Sequence, residues 1–186
     1  MNNEQTVIWR RLDAPGHESA TVFFDEGRWY LDGAAVFLYE GKPCRLDYTI
    51  ECDEEWNTLA ASVAGWVGEE VVDLEIEVDE DQRWFVGEEE IPEVSGCIDI
   101  DLNFSPVTNT LPIRRLNIGP GESVAVKAAW LRFPSFKFEP LEQTYIRLDE
   151  SRYRYESGGG DFVRELEVNE AGLVISYPDY FEIEKV

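Results

Sequence analysis

The sequence is poor in the residues that most enzymes use for nucleophilic or metal chemistry. It contains one histidine, His17, and three cysteines, Cys44, Cys52 and Cys97, without any CxxC spacing. Neither a disulfide framework nor a structural zinc site is expected, and the thiols are predicted to be reduced and buried. GxSxG, HExxH and GxxxxGK[ST] motifs are also missing, so we expect no catalytic serine elbow, metal or cofactor.

Positive charge is scarce as well. The 16 Lys and Arg residues are outnumbered by 39 Asp and Glu residues, which gives a formal net charge of −23. A field of this sign repels nucleic-acid phosphates, so nucleic acid is not an expected partner. No apolar run approaches the ~20 residues of a membrane-spanning helix, and the first residues lack the apolar core of a signal peptide. These absences predict a cytoplasmic protein without integral membrane association and leave its oligomeric state open.

The remaining composition is that of a folded chain. Of 186 residues, 44% are hydrophobic, and they include 10 Phe, 8 Tyr and 6 Trp. This apolar content is too high for a disordered chain, and the length is that of one domain, which we place over residues 1–186. Similar acidic patterns at residues 74–80 and 164–170 fit either a duplication of hairpin units or the chance likeness of two acidic hairpins.

Alternation of polar and apolar residues dominates the chain. It is clearest at residues 45–52, 73–79 and 98–104, and it has the period of a strand with one buried face. Short turn signals separate these segments, as in antiparallel hairpins. Other strand-like segments are residues 6–12, 19–24, 34–39, 123–133, 136–138, 143–148, 152–156, 162–168, 173–177 and 181–183.

The pattern therefore predicts an all-β protein with a large antiparallel sheet and little helix. Residues 106–116 could form a helical turn, but Pro106 and Pro112 make an ordered loop equally compatible with the sequence. So many strands must protect their edges, by a closed barrel, by a strongly curved half-barrel or by a sandwich. Barrels and half-barrels offer an interior that can hold a ligand.

Residues 97–116 form the most distinctive segment, CIDIDLNFSPVTNTLPIRRL. In a strand, Asp99 and Asp101 lie on one face, about 7 Å apart. Buried carboxylates need cations or hydrogen bonds, and Arg114 and Arg115 are the natural partners. Neighbours in an extended chain point to opposite faces, so we expect only one of these arginines to be buried beside an aspartate.

The same segment resembles a known family. The pattern DxDL followed by PxTNTLPIRRL, with Gln143-x-Tyr145 and Gly172-Leu173-Val174 further on, is similar to the "Putative glycolipid-binding" family of small bacterial and archaeal proteins. The resemblance implies a large antiparallel sheet curved into a barrel or half-barrel, similar to the carriers of bacterial lipoproteins. It also implies an amphipathic ligand, such as a glycolipid or a fatty-acyl molecule, held in the interior without enzymatic turnover.

The candidate binding residues combine hydrogen-bonding and charged groups. Thr108 and Asn109 could bond a sugar hydroxyl, and Tyr145, Tyr153 and Tyr155 carry both a ring and a hydroxyl. The predicted binding set is Asp99, Asp101, Thr108, Asn109, Arg114, Arg115, Tyr145 and Tyr153. Three alternatives stay open: an Arg–Asp network that only pins the segment to the sheet, a carbohydrate-active enzyme that uses Asp99 or Asp101, and a structural or interaction protein without a small ligand.

Overall fold

A computed structural model describes residues 4–184 and contains one sheet of 15 strands, one α-helix and three 3₁₀ turns. The strands are β1 (Gln5–Arg11), β2 (Gly16–Asp25), β3 (Arg28–Tyr39), β4 (Lys42–Cys52), β5 (Thr58–Val67), β6 (Glu70–Val78), β7 (Trp84–Val86), β8 (Glu89–Glu90), β9 (Asp99–Leu102), β10 (Ser123–Arg132), β11 (Lys137–Arg147), β12 (Arg152–Ser157), β13 (Phe162–Val168), β14 (Val174–Tyr177) and β15 (Phe181–Ile183). The helix is α1 (Thr110–Leu116), and the 3₁₀ turns are Pro92–Val94, Pro106–Asn109 and Gly158–Gly160.

Two meanders build the sheet. Strands β1 to β8 pair in chain order, as do β10 to β15, and the two series join where β1 pairs with β15. All pairs are antiparallel except β9 with β10. Strands β8 and β9 are the two edges of the curved, unclosed sheet. The predicted all-β class is confirmed, and of the geometries considered the chain adopts the half-barrel.

Strand β9 also contacts the opposite half of the sheet. The main-chain N–H of Thr58, at the start of β5, donates to the carbonyl of Ile98 over 3.3 Å. The N–H of Ile100 in turn donates to Thr58 Oγ1 over 3.2 Å. These two bonds hold the edge strand against the start of β5 although the ladder does not close.

The segment that follows β9 fills the interior of the half-barrel. Val107 and Leu111 are fully buried in a large apolar cluster that includes Trp9. Ile113 belongs to a second cluster, which contains Tyr145. The segment therefore packs between two apolar clusters of the interior, which fixes the positions of its polar side chains.

Both prolines of residues 106–116 are compatible with helical structure. Pro106 begins the 3₁₀ turn, and the Ser105 side chain accepts a hydrogen bond from the N–H of Val107. Pro112 is the third residue of α1, where a main-chain N–H has no partner within the helix in any case. The helical alternative is therefore the one the chain adopts.

Strand β11 is continuous where the sequence pattern suggested two segments. Pro140 lies inside it, opposite Ala129 of β10. On the other side, β12 pairs only with residues 143–147, so Pro140 borders a free edge, where its missing N–H breaks no ladder bond. The domain over residues 1–186 and the hairpin duplication stay predictions. Within residues 4–184, no helix is long and apolar enough to cross a bilayer.

Candidate functional site

Asp99 is part of a buried ion pair. Its two carboxylate oxygens accept from Nε and Nη2 of Arg115, over 3.1 and 2.5 Å. The side chains are 2% and 15% exposed. Burial raises the pKa of Asp99, while the hydrogen bonds and charge of Arg115 oppose that rise. The prediction that one of the two arginines is buried against Asp99 or Asp101 is confirmed.

Arg114 takes a different direction. Arg114 and Arg115 belong to α1, and in an α-helix successive side chains point in directions about 100° apart. The two arginines therefore do point in different directions, but the assumption that they lie in an extended chain is wrong. Arg114 is exposed, and its guanidinium carbon lies 5.4 Å from the ring centre of Trp56. Its Nη1 donates to the carbonyl oxygen of Glu170 over 3.4 Å. It forms neither a hydrogen bond nor an ion pair with Asp99 or Asp101.

Asp101 has a different partner from Asp99. Its Oδ2 accepts a hydrogen bond from Nε2 of Gln143, in β11, over 2.7 Å. Burial raises the pKa of Asp101 to about 6, the Gln143 hydrogen bond lowers it and the charge of Asp99 adds to the rise. Asp101 is therefore a carboxylate without an ion-pair partner within residues 4–184, and it lines a cavity.

We call this cavity the aromatic pocket. It has a volume of about 380 Å³ and is open to solvent on one side. Six aromatic side chains form most of its wall, and Asp101, Asn103, Ser105, Asn109 and Ser157 supply its polar groups. Its lining residues are Asp101, Asn103, Ser105, Asn109, Trp130, Leu141, Tyr155, Ser157, Gly158, Phe162, Tyr177, Tyr180 and Phe181.

Two neighbouring hairpins, β12–β13 and β14–β15, supply five of the six aromatic side chains of the wall. Tyr155 belongs to β12 and Phe162 to β13, and their ring centres are 6.0 Å apart. Tyr177 ends β14 and Tyr180 lies in the turn to β15, with ring centres 5.3 Å apart. Phe162 and Tyr180 are 5.7 Å apart, so the rings form one connected surface. Edge-to-face and tilted contacts of this kind hold rings in defined orientations.

Asn109 joins the pocket to the residues behind it. Its side-chain amide nitrogen donates to the hydroxyl of Tyr145 over 2.8 Å. Tyr145 is 1% exposed and does not line the pocket, and burial raises its pKa well above the usual range. Thr108 is buried and donates from Oγ1 to the carbonyl of Ser105 over 3.4 Å. Tyr145 and Thr108 thus hold the segment in place.

The structure divides the eight predicted binding residues into three groups. Asp101 and Asn109 line the aromatic pocket. Arg114 and Tyr153 line a separate cavity, described below. Asp99, Arg115, Thr108 and Tyr145 have buried partners and line neither cavity. Whether any of them contacts a ligand stays a prediction.

Sequence reasoning missed a third buried carboxylate, Glu18. The hydroxyl of Tyr48 donates to Glu18 Oε1 over 2.6 Å, and the hydroxyl of Ser105 donates to the same oxygen. Oε2 is buried without a partner within residues 4–184. Burial raises the pKa of Glu18 to about 7, although both hydrogen bonds and the charge of Arg11 lower it. Because Ser105 lines the pocket, Glu18 lies directly behind the pocket wall.

A sequence signal for Glu18 exists. Glu18, Ala20 and Val22 alternate along β2 and are all buried, so the period of two places Glu18 on the inner face. For metals, residues 4–184 contain no cluster of three or more His, Cys, Asp or Glu side chains that could hold an ion.

Fold and pocket together define a class of protein, a barrel-like curved β-sheet with an aromatic pocket in its interior. The chain belongs to the family described as "Putative glycolipid-binding", whose sequence model matches residues 6–182. The expectation drawn from the central segment is thereby confirmed at the level of the family.

Two solved structures are similar to this chain. A DUF1089 family protein from Pseudomonas aeruginosa is 33% identical, with a TM-score of 0.77 over 89% of this chain and 91% of that one. A beta-barrel-like protein of a domain of unknown function, DUF1849, from Brucella abortus is 8% identical, with a TM-score of 0.59 over 99% of this chain and 96% of that one. The second likeness concerns the fold alone. No curated protein matches the chain.

Proposed function

We propose that the protein binds an amphipathic molecule, such as a glycolipid or a fatty-acyl compound, in the aromatic pocket. The observation that carries the proposal is the combination of a connected aromatic wall with an unpaired carboxylate, Asp101, in one cavity. The description of the family supports the same class of ligand.

The two surfaces of the pocket suit the two parts of such a ligand. Aromatic faces such as those of Tyr155 and Tyr177 stack against the apolar face of a sugar ring or against an acyl chain. Asp101 accepts hydrogen bonds from sugar hydroxyls, and a charged acceptor makes these bonds stronger than neutral ones. Asn109 and Ser157 add polar groups beside it.

The size of the pocket limits what it holds. Ligand sites commonly measure about 300–1,000 Å³, and the aromatic pocket, at about 380 Å³, is near the lower end. We therefore expect one sugar ring or a short stretch of acyl chain inside the pocket, with the rest of the ligand at its open side.

The geometry favours binding over carbohydrate hydrolysis. Glycoside hydrolases place two carboxyl groups about 5–9.5 Å apart on either side of the bond they cleave. Asp101 is the one carboxylate among the residues that line the described pocket, and Asp99 is held by Arg115. A two-carboxylate mechanism through Asp99 and Asp101 would therefore require breaking a buried ion pair.

Isothermal titration calorimetry with n-octyl β-D-glucoside, below its critical micelle concentration, tests the proposal. We expect the parent protein to bind this probe and to bind methyl β-D-glucoside, which lacks the chain, much more weakly. Asp101→Asn should weaken binding of the octyl glucoside by about tenfold, because a charged acceptor is replaced by a neutral one. Tyr177→Ala should weaken it further by opening the aromatic wall.

Asp73→Asn is the matched control, because Asp73 is exposed on β6 and its replacement removes the same charge. It should bind like the parent. The proposal is wrong if the folded parent protein does not bind the octyl glucoside, or if the Asp101, Tyr177 and Asp73 variants bind it with equal affinity.

A further inference from the structure

Two arginines of this acidic chain form no ion pair within residues 4–184. Of the 12 arginines, ten lie within ion-pairing distance of a carboxylate among residues 4–184. Arg114 and Arg147 are the two that do not. With a net charge of −23, the chain is rich in carboxylates, so the lack of an ion-pair partner for these two cations within residues 4–184 requires an explanation. Both line the same cavity, of about 620 Å³.

Arg147 is held in place by main-chain carbonyl groups. Its Nε donates to Asp149 over 3.0 Å, its Nη1 to Ile118 over 2.8 Å and its Nη2 to Glu150 over 2.9 Å. A guanidinium group has five N–H donors, so two remain for another partner. The carbonyl groups fix the orientation of the guanidinium without neutralising its charge.

Arg114 reaches the cavity over a turn that requires glycine. Gly172 has a φ of +82°, and a Cβ atom there would lie 2.9 Å from Arg114 Cδ. The absence of a side chain at residue 172 leaves room for the arginine stem. The contact of Arg114 with Glu170 uses one donor and leaves four.

A tyrosine hydroxyl completes the arrangement. Tyr153 is 3% exposed, lines the cavity and makes no side-chain hydrogen bond within residues 4–184. Burial raises the pKa of Tyr153, and the charges of Arg147 and then Arg114 lower it, so both guanidinium groups act on the phenol. Two acidic residues also line the cavity, Glu150 and Glu170, but they offer main-chain carbonyls to the arginines and form no ion pair with them.

We propose that this cavity is a binding site for a tetrahedral oxyanion, specifically phosphate or a phosphate monoester, held by Arg114, Arg147 and the hydroxyl of Tyr153. Guanidinium groups match phosphate oxygens in pairs, and the Tyr153 hydroxyl adds a further donor in the same cavity. The cavity shares no lining residue with the aromatic pocket. The site is therefore a second one and does not depend on the proposed function.

Calorimetric titration with inorganic phosphate, at constant ionic strength set by chloride, tests the site. We expect saturable binding by the parent protein and about tenfold weaker binding by Arg114→Gln, which removes an exposed side chain and leaves the fold intact. Arg114→Lys should recover part of the loss, because it restores the charge without the planar pair of donors. Tyr153→Phe should weaken binding by about threefold through loss of one hydrogen bond.

Arg154→Gln is the matched control, since Arg154 is exposed, pairs with Glu156 and carries the same charge. A second titration with the soluble lipid 1,2-dihexanoyl-sn-glycero-3-phosphate separates the sources of the anion. Tighter binding of the lipid assigns the site to a phospholipid headgroup, and equal affinity assigns it to small phosphates. The proposal is overturned if neither probe binds, or if Arg114→Gln and Arg154→Gln weaken binding equally.

Discussion

Asp99 and Asp101 lie two residues apart on β9, yet their surroundings differ in kind. Asp99 is paired with Arg115 of α1, and both side chains are shielded from water. Asp101 accepts a hydrogen bond from the neutral amide of Gln143, has no ion-pair partner within residues 4–184 and borders the aromatic pocket. The difference shows that the partner from the neighbouring element, rather than the residue type, decides whether a carboxylate on this strand is ion-paired or lines a cavity.

The largest expected effect concerns the structural pair. Arg115→Ala should lower the free energy of unfolding by about 3–5 kcal/mol, because it leaves the buried Asp99 carboxylate without a cation. Urea denaturation followed by tryptophan fluorescence measures this loss. The double variant Asp99→Asn with Arg115→Met should lose less than Arg115→Ala alone, since it removes both charges.

Arg114→Ala is the control for this comparison, because Arg114 is the exposed neighbour on the same helix. It should change the free energy of unfolding by less than ~1 kcal/mol. Equal losses for the two arginine variants would contradict the assignment of Asp99 and Arg115 to the scaffold.

Glu18 is a third buried carboxylate, and it has no ion-pair partner in the part of the chain that the structure describes. Its pKa rises from about 4.5 to about 7 on folding, so the folded state holds the proton more tightly than the unfolded state does. The stability that this proton confers is complete below pH 4.5 and is lost as the pH rises through 7. At 1.36 kcal/mol for each pKa unit, the loss is about 3 kcal/mol.

Glu18→Gln should remove this dependence, because the amide oxygen can accept from Tyr48 and Ser105 but does not titrate. The difference in unfolding free energy between variant and parent, measured from pH 4 to 8, should shift in favour of the variant as the pH rises. Subtracting the parent cancels the titration of the other acids. A difference that stays constant over this range would refute the account of Glu18.

The smallest expected effect is a change in the affinity for n-octyl β-D-glucoside as Asp101 titrates. Its pKa of about 6 means that the carboxylate gains its charge, and becomes a stronger acceptor for hydroxyl groups, as the pH rises through 6. Affinity for n-octyl β-D-glucoside should therefore increase several-fold between pH 5 and 7. In Asp101→Asn the affinity should be flat, whereas a parallel rise in both proteins would assign the titration to another group.

The strands that could be predicted are those with one buried face. In β6, apolar Val72 and Ile76 alternate with exposed acids, and the period of two is directly visible. Strand β5, which ends in ASVAGWV, was missed because small residues on both faces remove the contrast between inside and outside. The sequence of strand β9 alternates acidic and apolar residues although Asp99 is buried. An acidic residue is compatible with this buried position because Asp99 is paired with Arg115.

The pairing of one of the two arginines, Arg114 or Arg115, with an aspartate could be predicted, because charge balance and burial restrict a buried carboxylate to few partners. The aromatic pocket could not. Tyr155, Phe162 and Tyr177 are far from Asp101 in the sequence, and only the order and curvature of the strands bring them together. Of the tyrosines noted from sequence, Tyr155 lines the pocket, whereas Tyr145 supports it from behind.

Locating the bound probe on the protein tests most directly whether the aromatic pocket is a binding site. Intermolecular nuclear Overhauser effects between n-octyl β-D-glucoside and the isotope-labelled protein report which side chains it touches. We expect contacts from the probe to the rings of Trp130 and Tyr177 in the aromatic pocket. Contacts confined to exposed apolar residues such as Trp66 and Val71, which are 38% and 83% exposed, would contradict this expectation.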